Sequence, residues 1–197
     1  MGESRPKSWF RSLLRPSTRY SVLSLLAIGL LLGVGGLLAF DATMHATSTE
    51  AFCTSCHEMA DNPYDQLQRT THYTNPSGVA ATCSDCHVPK EFVPKMIRKI
   101  EASREVWGHL RGIIDTPEKY AAHAPVMKER EIARLKANDS QECRNCHDEG
   151  RMLLPVQTVK AQEFHKNLED GGKTCIDCHT GVGHPENLAG LNGTTFE

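Results

Sequence analysis

The 197-residue chain is poor in aromatic side chains, which make up 6% of it. Its formal net charge of −2 leaves no strong basic excess, which excludes a nucleic-acid binder. No alternation of apolar and polar residues runs long enough for a useful strand, so a sheet core is excluded and a helical one expected. Charge is wholly missing from Tyr20 to Phe40, 21 residues reading YSVLSLLAIGLLLGVGGLLAF. No cysteine stands alone. All eight fall in short clusters, which argues against a scattered disulfide framework.

As a helix the uncharged stretch would span about 31 Å, the thickness of bilayer hydrocarbon. A cleaved signal peptide has a shorter apolar core and an A-x-A-like cleavage site. Here the stretch is longer and no such site follows it, so it reads as a retained anchor. Residues 1–19 hold Arg5, Lys7, Arg11, Arg15 and Arg19 against Glu3 alone. The expected organisation is therefore a basic cytoplasmic tail (1–19), a transmembrane anchor in the bacterial inner membrane (20–40) and a periplasmic domain (41–197). Subtracting the tail from 22 basic and 24 acidic residues leaves 17 and 23 beyond it, so the remainder is acidic. Gly29 and Gly33 form a G-x-x-x-G step. Either it lets a second copy approach in a homo-oligomer, or it reflects the glycine content usual in membrane helices.

The cysteines fall as Cys53-Thr-Ser-Cys56-His57, Cys83-Ser-Asp-Cys86-His87, Cys143-Arg-Asn-Cys146-His147 and Cys175-Ile-Asp-Cys178-His179. Each is C-x-x-C-H, the c-type haem attachment pattern. Two thiols at this spacing can add to the two vinyl groups of one porphyrin, and the next histidine then directs a nitrogen at iron. C-x-x-C alone also serves zinc sites and redox disulfides. Four complete motifs with no cysteine left over, in an extracytoplasmic domain, point to four covalent haems. About 157 residues follow the anchor, roughly 40 per haem, so the porphyrins must supply much of the interior. The apoprotein should be largely unfolded.

The motifs start 30, 60 and 32 residues apart, which reads as two haem pairs joined by a bridge. The bridge should be helical, with Pro94 in its first turn and Ile97, Ile100, Trp107, Leu110 and Ile114 at helical intervals. Gly112 should end it and Thr116-Pro117 cap another helix. A further helix is expected from about Val156 to Asp170, stopped by Gly171-Gly172. The fold class is a mainly α multihaem cytochrome c: one transmembrane helix and a haem-packed periplasmic domain of two haem-pair halves.

Six histidines lie outside the motifs: His45, His72, His109, His123, His165 and His184. Up to four irons need a sixth ligand, and bis-histidine haems are closed to substrate and suited to electron transfer. His45, just outside the membrane, is the weakest candidate. The first motif continues as Cys56-His57-Glu58-Met59. Either Met59 packs in the interior, or its thioether takes the iron in place of His57.

The basic N-terminus, single anchor, four motifs and the stretches FCTSCHEM, THYTNPSGV, ATCSDCHVPK, KANDSQECRNCH and GKTCIDCHTGVGH resemble the NapC/NirT family of membrane-anchored tetrahaem quinol dehydrogenases, and most of all its NapC branch. That resemblance covers essentially the whole chain. It implies Met59 as axial ligand of haem 1, His184 opposite His87 on haem 2, His165 opposite His147 on haem 3 and His72 opposite His179 on haem 4. It also implies a quinol site beside haem 1, with Lys99 twelve residues after His87 and an acidic residue at Glu105. Relatives commonly have aspartate at that acidic position.

Quinol oxidation releases two electrons and two protons. A lysine can hold a quinol oxygen and a carboxylate can take a proton. The bridge helix offers Lys95, Arg98, Lys99, Glu101 and Glu105, of which Lys95 and Arg98 read better as a solvated face against lipid phosphates. The leading expectation is electron transfer from the quinol pool to a periplasmic reductase, whose docking surface should be basic to match the acidic domain. The same relay could run in reverse, from a periplasmic oxidase to quinone. A terminal reductase of a small molecule needs an open haem, and three haems look saturated. A haem-based sensor lacks an attached signalling domain.

Overall fold

The computed structural model describes residues 18–166, 168 and 172–185. Most of the basic tail thus lies outside the described residues. Two compact units are distinguished, residues 1–46 and 47–197. The described part of the first is one helix, α1 (Val22–Ala46). It is long and apolar enough to cross a membrane, and none of its residues is buried against protein. It extends six residues beyond Phe40, the expected end of the anchor, through Asp41 to Ala46. A Cβ added at Gly29, Gly33, Gly35 or Gly36 would meet nothing within 4 Å.

The second unit is built from short helical pieces and two long helices, with no strand among the described residues. In order these are α2 (Glu50–Cys53), α3 (His57–Met59), a π-turn at Ala60–Tyr64, α4 (Asp65–Gln68), α5 (Cys83–His87), α6 (Phe92–Leu110), α7 (Pro117–Ala137), α8 (Gln141–Arg144), 3₁₀ turns at Glu149–Arg151 and Leu154–Val156, α9 (Val159–Lys166) and α10 (Cys175–Cys178). The bridge is helical as expected. Pro94 occupies the third position of α6, where its missing N–H costs nothing. Gly112 ends the helix in a left-handed conformation (φ +64°), and the Ile113 N–H closes back onto the Gly108 carbonyl at 2.9 Å. That turn lays Ile114 against Gly108. Thr116 then caps α7, its Oγ1 accepting from the Lys119 N–H, with Pro117 at the first helical position.

The third predicted helix starts later than expected, at Val159 rather than Val156. Pro155 is held in the preceding 3₁₀ turn, and that turn uses up Val156. Its expected end at Asp170 and the stop at Gly171 lie outside the described residues.

Only Leu67, Ile114, Leu135 and Ile176 form a buried apolar core among the described residues. Phe52, Phe92, Val93, Ile97, Ile100, Val106, Trp107 and Leu110 are exposed. Side chains alone do not make the interior of this domain, as the low aromatic content led one to expect.

Candidate haem centres

All eight cysteines are free thiols, so none is spent in a disulfide. The motifs are held by local chemistry of two kinds. In the second and fourth, the sequence Thr-Cys-x-Asp-Cys-His caps itself. The Thr82 N–H and Oγ1 donate to Asp85 Oδ2 at 2.8 and 2.7 Å, and Thr174 does the same to Asp177 at 2.8 and 3.0 Å. The aspartate inside the C-x-x-C spacer thereby fixes the short helix that presents both sulfurs. In the first motif Thr49 caps α2, accepting from the Phe52 N–H. The third motif follows two left-handed residues, Asp139 and Ser140. Ser140 is fully buried, and its Oγ accepts from the Ile176 N–H at 3.2 Å, joining the third motif to the fourth.

The four motifs stand in series. The Cys53 and Cys83 thiols lie within interaction reach of each other. Cys86 lies within electrostatic reach of Cys143 and Cys146, and Cys143 within reach of Cys175. Packing follows the same order, with α2 against α5 and α5 against α8, while α10 rests on α7. Lys136 Nζ pairs with Asp177 Oδ1 at 2.7 Å to hold that last contact.

Each motif histidine has a second imidazole beside it. Ring centroids are 6.0 Å apart for His87 and His184, 6.0 Å for His72 and His147, and 6.2 Å for His165 and His179. With metal–nitrogen distances of about 2 Å, two imidazoles on opposite sides of one metal have centroids about 6 Å apart. The His87–His184 pair is the one the resemblance implies. The other two pairs are exchanged relative to it: His72 is beside His147 and His165 beside His179. The two sequence halves therefore interlock, since His72 comes from the first half and His147 from the second. His123 bonds only its own helix, through the Lys119 carbonyl, and His45 lies in the last turn of α1.

A haem-ligating histidine keeps Nε2 for iron when Nδ1 is engaged elsewhere. His87 Nδ1 lies 2.8 Å from Glu131 Oε1, and His165 Nδ1 lies 2.6 Å from Gln157 Oε1. The Nδ1 atoms of His72 and His184 are buried without a hydrogen bond. Burial, then nearby His147 and His179, lower the His72 pKa; burial and His87 lower that of His184 to about 4. Each shift favours the neutral form, the one that binds iron. Sulfur pairs at short helices and imidazoles spaced for one metal between them fit covalent haem at these three centres.

The first centre is different. His109, on α6, brings its ring centroid to 6.3 Å from that of His57, but the Glu58 carboxylate reaches between them. Glu58 Oε1 accepts from His109 Nδ1 at 2.6 Å and lies 3.8 Å from His57 Nε2. Glu58 is 2% exposed, and its Oε2 is buried without a partner. Burial pushes its carboxyl up, but the bond from His109, a backbone bond and the nearby His109 and His57 rings together hold it below the usual range. Met59, two residues beyond His57, is half-buried. Sequence reasoning missed Glu58 and named His109 only as one of six spare histidines, without joining it to His57; the one available signal for Glu58 was an acidic residue directly after a motif histidine.

Lys99 Nζ donates to the Thr47 carbonyl at 2.6 Å and to Thr47 Oγ1 at 2.8 Å. Burial lowers its pKa, partly offset by Cys53, whose sulfur is within electrostatic reach. Glu105 is paired with another side chain of the same helix. Its Oε1 lies 3.9 Å from Arg98 Nη1 and its Oε2 is buried without a hydrogen bond. Arg98 is not the solvated lipid-facing residue expected: its side chain is 15% exposed and lies 3.8 Å from Glu131. On α6 it turns inward because two carboxylates wait there.

The NapC/NirT cytochrome c family, N-terminal region, matches residues 15–189. The chain belongs to that family. It is 45% identical over 190 residues to the denitrification system component NirT of Stutzerimonas stutzeri, covering 95% of this chain and 94% of the relative. It is 47% identical over 170 residues to the cytochrome c-type protein NapC of Escherichia coli K12, covering 86% and 85%, and 47% identical over 166 residues to a putative tetraheme cytochrome of Allochromatium vinosum, covering 83% and 89%. No solved structure matches the chain. Membership makes this a c-type cytochrome of electron transport, and α1 its single membrane anchor in the inner membrane.

Proposed function

We propose that this protein oxidises membrane quinol and passes the electrons through four covalent haems to a periplasmic reductase. The observation that carries the reading is the packing of the attachment sites in order: α2 of the first motif against α5 of the second, α5 against α8 of the third, and Ser140 beside the third motif bonded to Ile176 of the fourth. Bound haem supplies one-electron acceptance and donation. The eight cysteines hold the porphyrins; His87 with His184, His147 with His72 and His179 with His165 close three irons to substrate. Haem 1 takes His57 or Met59, and its surroundings carry the groups that quinol chemistry needs.

Lys99 is the residue that holds a quinol oxygen. Its ammonium already donates to two oxygens of Thr47, the residue that follows α1 in sequence. A quinol oxygen can take over one of those bonds, and the positive charge favours the anion that forms as a proton leaves. Glu105 takes up a released proton at its unpartnered Oε2. The domain faces the periplasm, with the basic tail cytoplasmic. A dimer through Gly29 and Gly33 is a separate proposal, checked by crosslinking in membranes.

The test is reduction by a quinol analogue. Lys99→Gln should keep all four haems, normal spectra and normal reduction by dithionite, while quinol-driven reduction slows at least tenfold. Near-normal quinol-driven reduction would move the site away from Lys99, with Lys95 next to be examined.

A further inference from the structure

The haem-ligand histidines differ in what holds their second nitrogen. His165 gives Nδ1 to a neutral amide oxygen, Gln157 Oε1. His87 gives it to a carboxylate, Glu131 Oε1, at 2.8 Å. Arg134 donates from Nη2 and Nε to the same oxygen at 2.7 and 3.0 Å, and Arg98 Nη2 lies 3.8 Å from the other. Arg134 also donates to Glu142 Oε1 at 2.5 Å and to the Cys86 carbonyl at 3.1 Å. The carboxylate is thus clamped between α6, α7 and the second motif.

We infer that Glu131 depresses the reduction potential of the haem held by His87, acting through the His87 ring. An imidazole whose N–H points at a carboxylate is a more basic ligand, and a more basic ligand favours ferric over ferrous iron. The two guanidiniums partly cancel the field of Glu131 at a distance. The short bond to His87 is therefore the route left to it. Gln157 offers the same hydrogen bond without the charge, so the centre on His179 and His165 lacks this effect. The inference rests on ligation of haem 2 by His87 and His184 as proposed above.

The experiment is a redox titration of the full, detergent-purified holoprotein, monitored by EPR. Glu131→Gln should leave the spin state of each haem as in the wild type and shift one of four components upward about tenfold in its reduction equilibrium, about 59 mV for one electron. Gln157→Glu should shift a different component downward by a comparable factor. Glu142→Gln, which removes a charge that bonds Arg134 but not His87, should leave the Glu131-sensitive component within twofold of wild type. An unmoved component in Glu131→Gln would overturn the inference, and so would an equal shift in Glu142→Gln. If Glu131→Gln loses haem, Gln157→Glu decides alone: no downward shift overturns it. Failure of the ligation reading would look different, as a missing low-spin bis-imidazole signal in the wild type.

Discussion

The first haem centre and the other three share one attachment motif and differ in what surrounds the histidine. At His87, His147 and His179 a second imidazole stands 6.0 to 6.2 Å away, its ring matched to a metal between the two. At His57 a buried carboxylate lies between the rings, a thioether follows two residues later, and Lys99 is close to the motif's first sulfur. Paired imidazoles on one iron make a centre suited to passing electrons. A centre edged by a carboxylate and an ammonium can also exchange protons and hold an oxygen ligand. The same five-residue motif thus stands in two different surroundings, and the difference lies in residues brought from α6 and from Glu58.

The largest effect should come from removing an imidazole at a closed centre. His72→Ala, His165→Ala and His184→Ala should each convert one low-spin haem to high-spin or stop maturation, read by EPR and by the haem content of purified protein. His123→Ala and His45→Ala should leave the spectrum intact. The ring pairs sharpen this: in His72→Ala the affected haem should be the one attached at Cys143 and Cys146, and a change confined to the haem at Cys175 and Cys178 would restore the other pairing.

Acid should act next, and on the closed centres first. Glu131 is held at about 2 against an ordinary 4.5, as burial is outweighed by bonds from His87 and Arg134. Asp177, bonded by Lys136 and by Thr174, is held at about 2 against 3.8. A carboxyl depressed on folding contributes stability above its unfolded pKa and loses it as pH falls through the folded value. Both contributions should therefore be complete above about pH 4.5 and disappear toward pH 2. Circular dichroism and the Soret band, followed from pH 6 to pH 2, should show the loss inside that window. Replacing Glu131 with Gln should flatten its part of the profile.

The smallest effect should come from the self-capping motifs. Thr174→Ala removes the Oγ1 bond to Asp177 but leaves the backbone N–H bond, and a lost cap costs about 0.5–2 kcal/mol. The haem count should be unchanged and the midpoint in denaturant lowered. Asp177→Ala, which removes both bonds and the Lys136 pair, should lower it further.

What the sequence disclosed was mostly local. Covalent attachment needs two thiols and a histidine at fixed spacing, so the four centres were legible outright. Helix boundaries at Gly112 and Thr116-Pro117 were legible because left-handed backbone and capping are written in single residues. The histidines that stand beside the motif histidines were legible as a group but not as pairs. His72 and His147 are 75 residues apart, and nothing near either one names the other. Glu58, Glu131 and Arg98 read as ordinary charges, because what distinguishes them is burial against distant elements. His109 is of that kind too. It belongs with His57 only once α6 is folded back on the first motif.

The contrast between the first centre and the rest is tested most directly by rapid mixing of the holoprotein with a quinol analogue, freezing samples in time for EPR. The haem attached at Cys53 and Cys56 should be reduced first and the three bis-imidazole haems afterwards, and Lys99→Gln should slow the first phase without changing the later ones. Reduction of a bis-imidazole haem before the haem at Cys53, at a rate indifferent to Lys99, would contradict the assignment of quinol chemistry to the first centre.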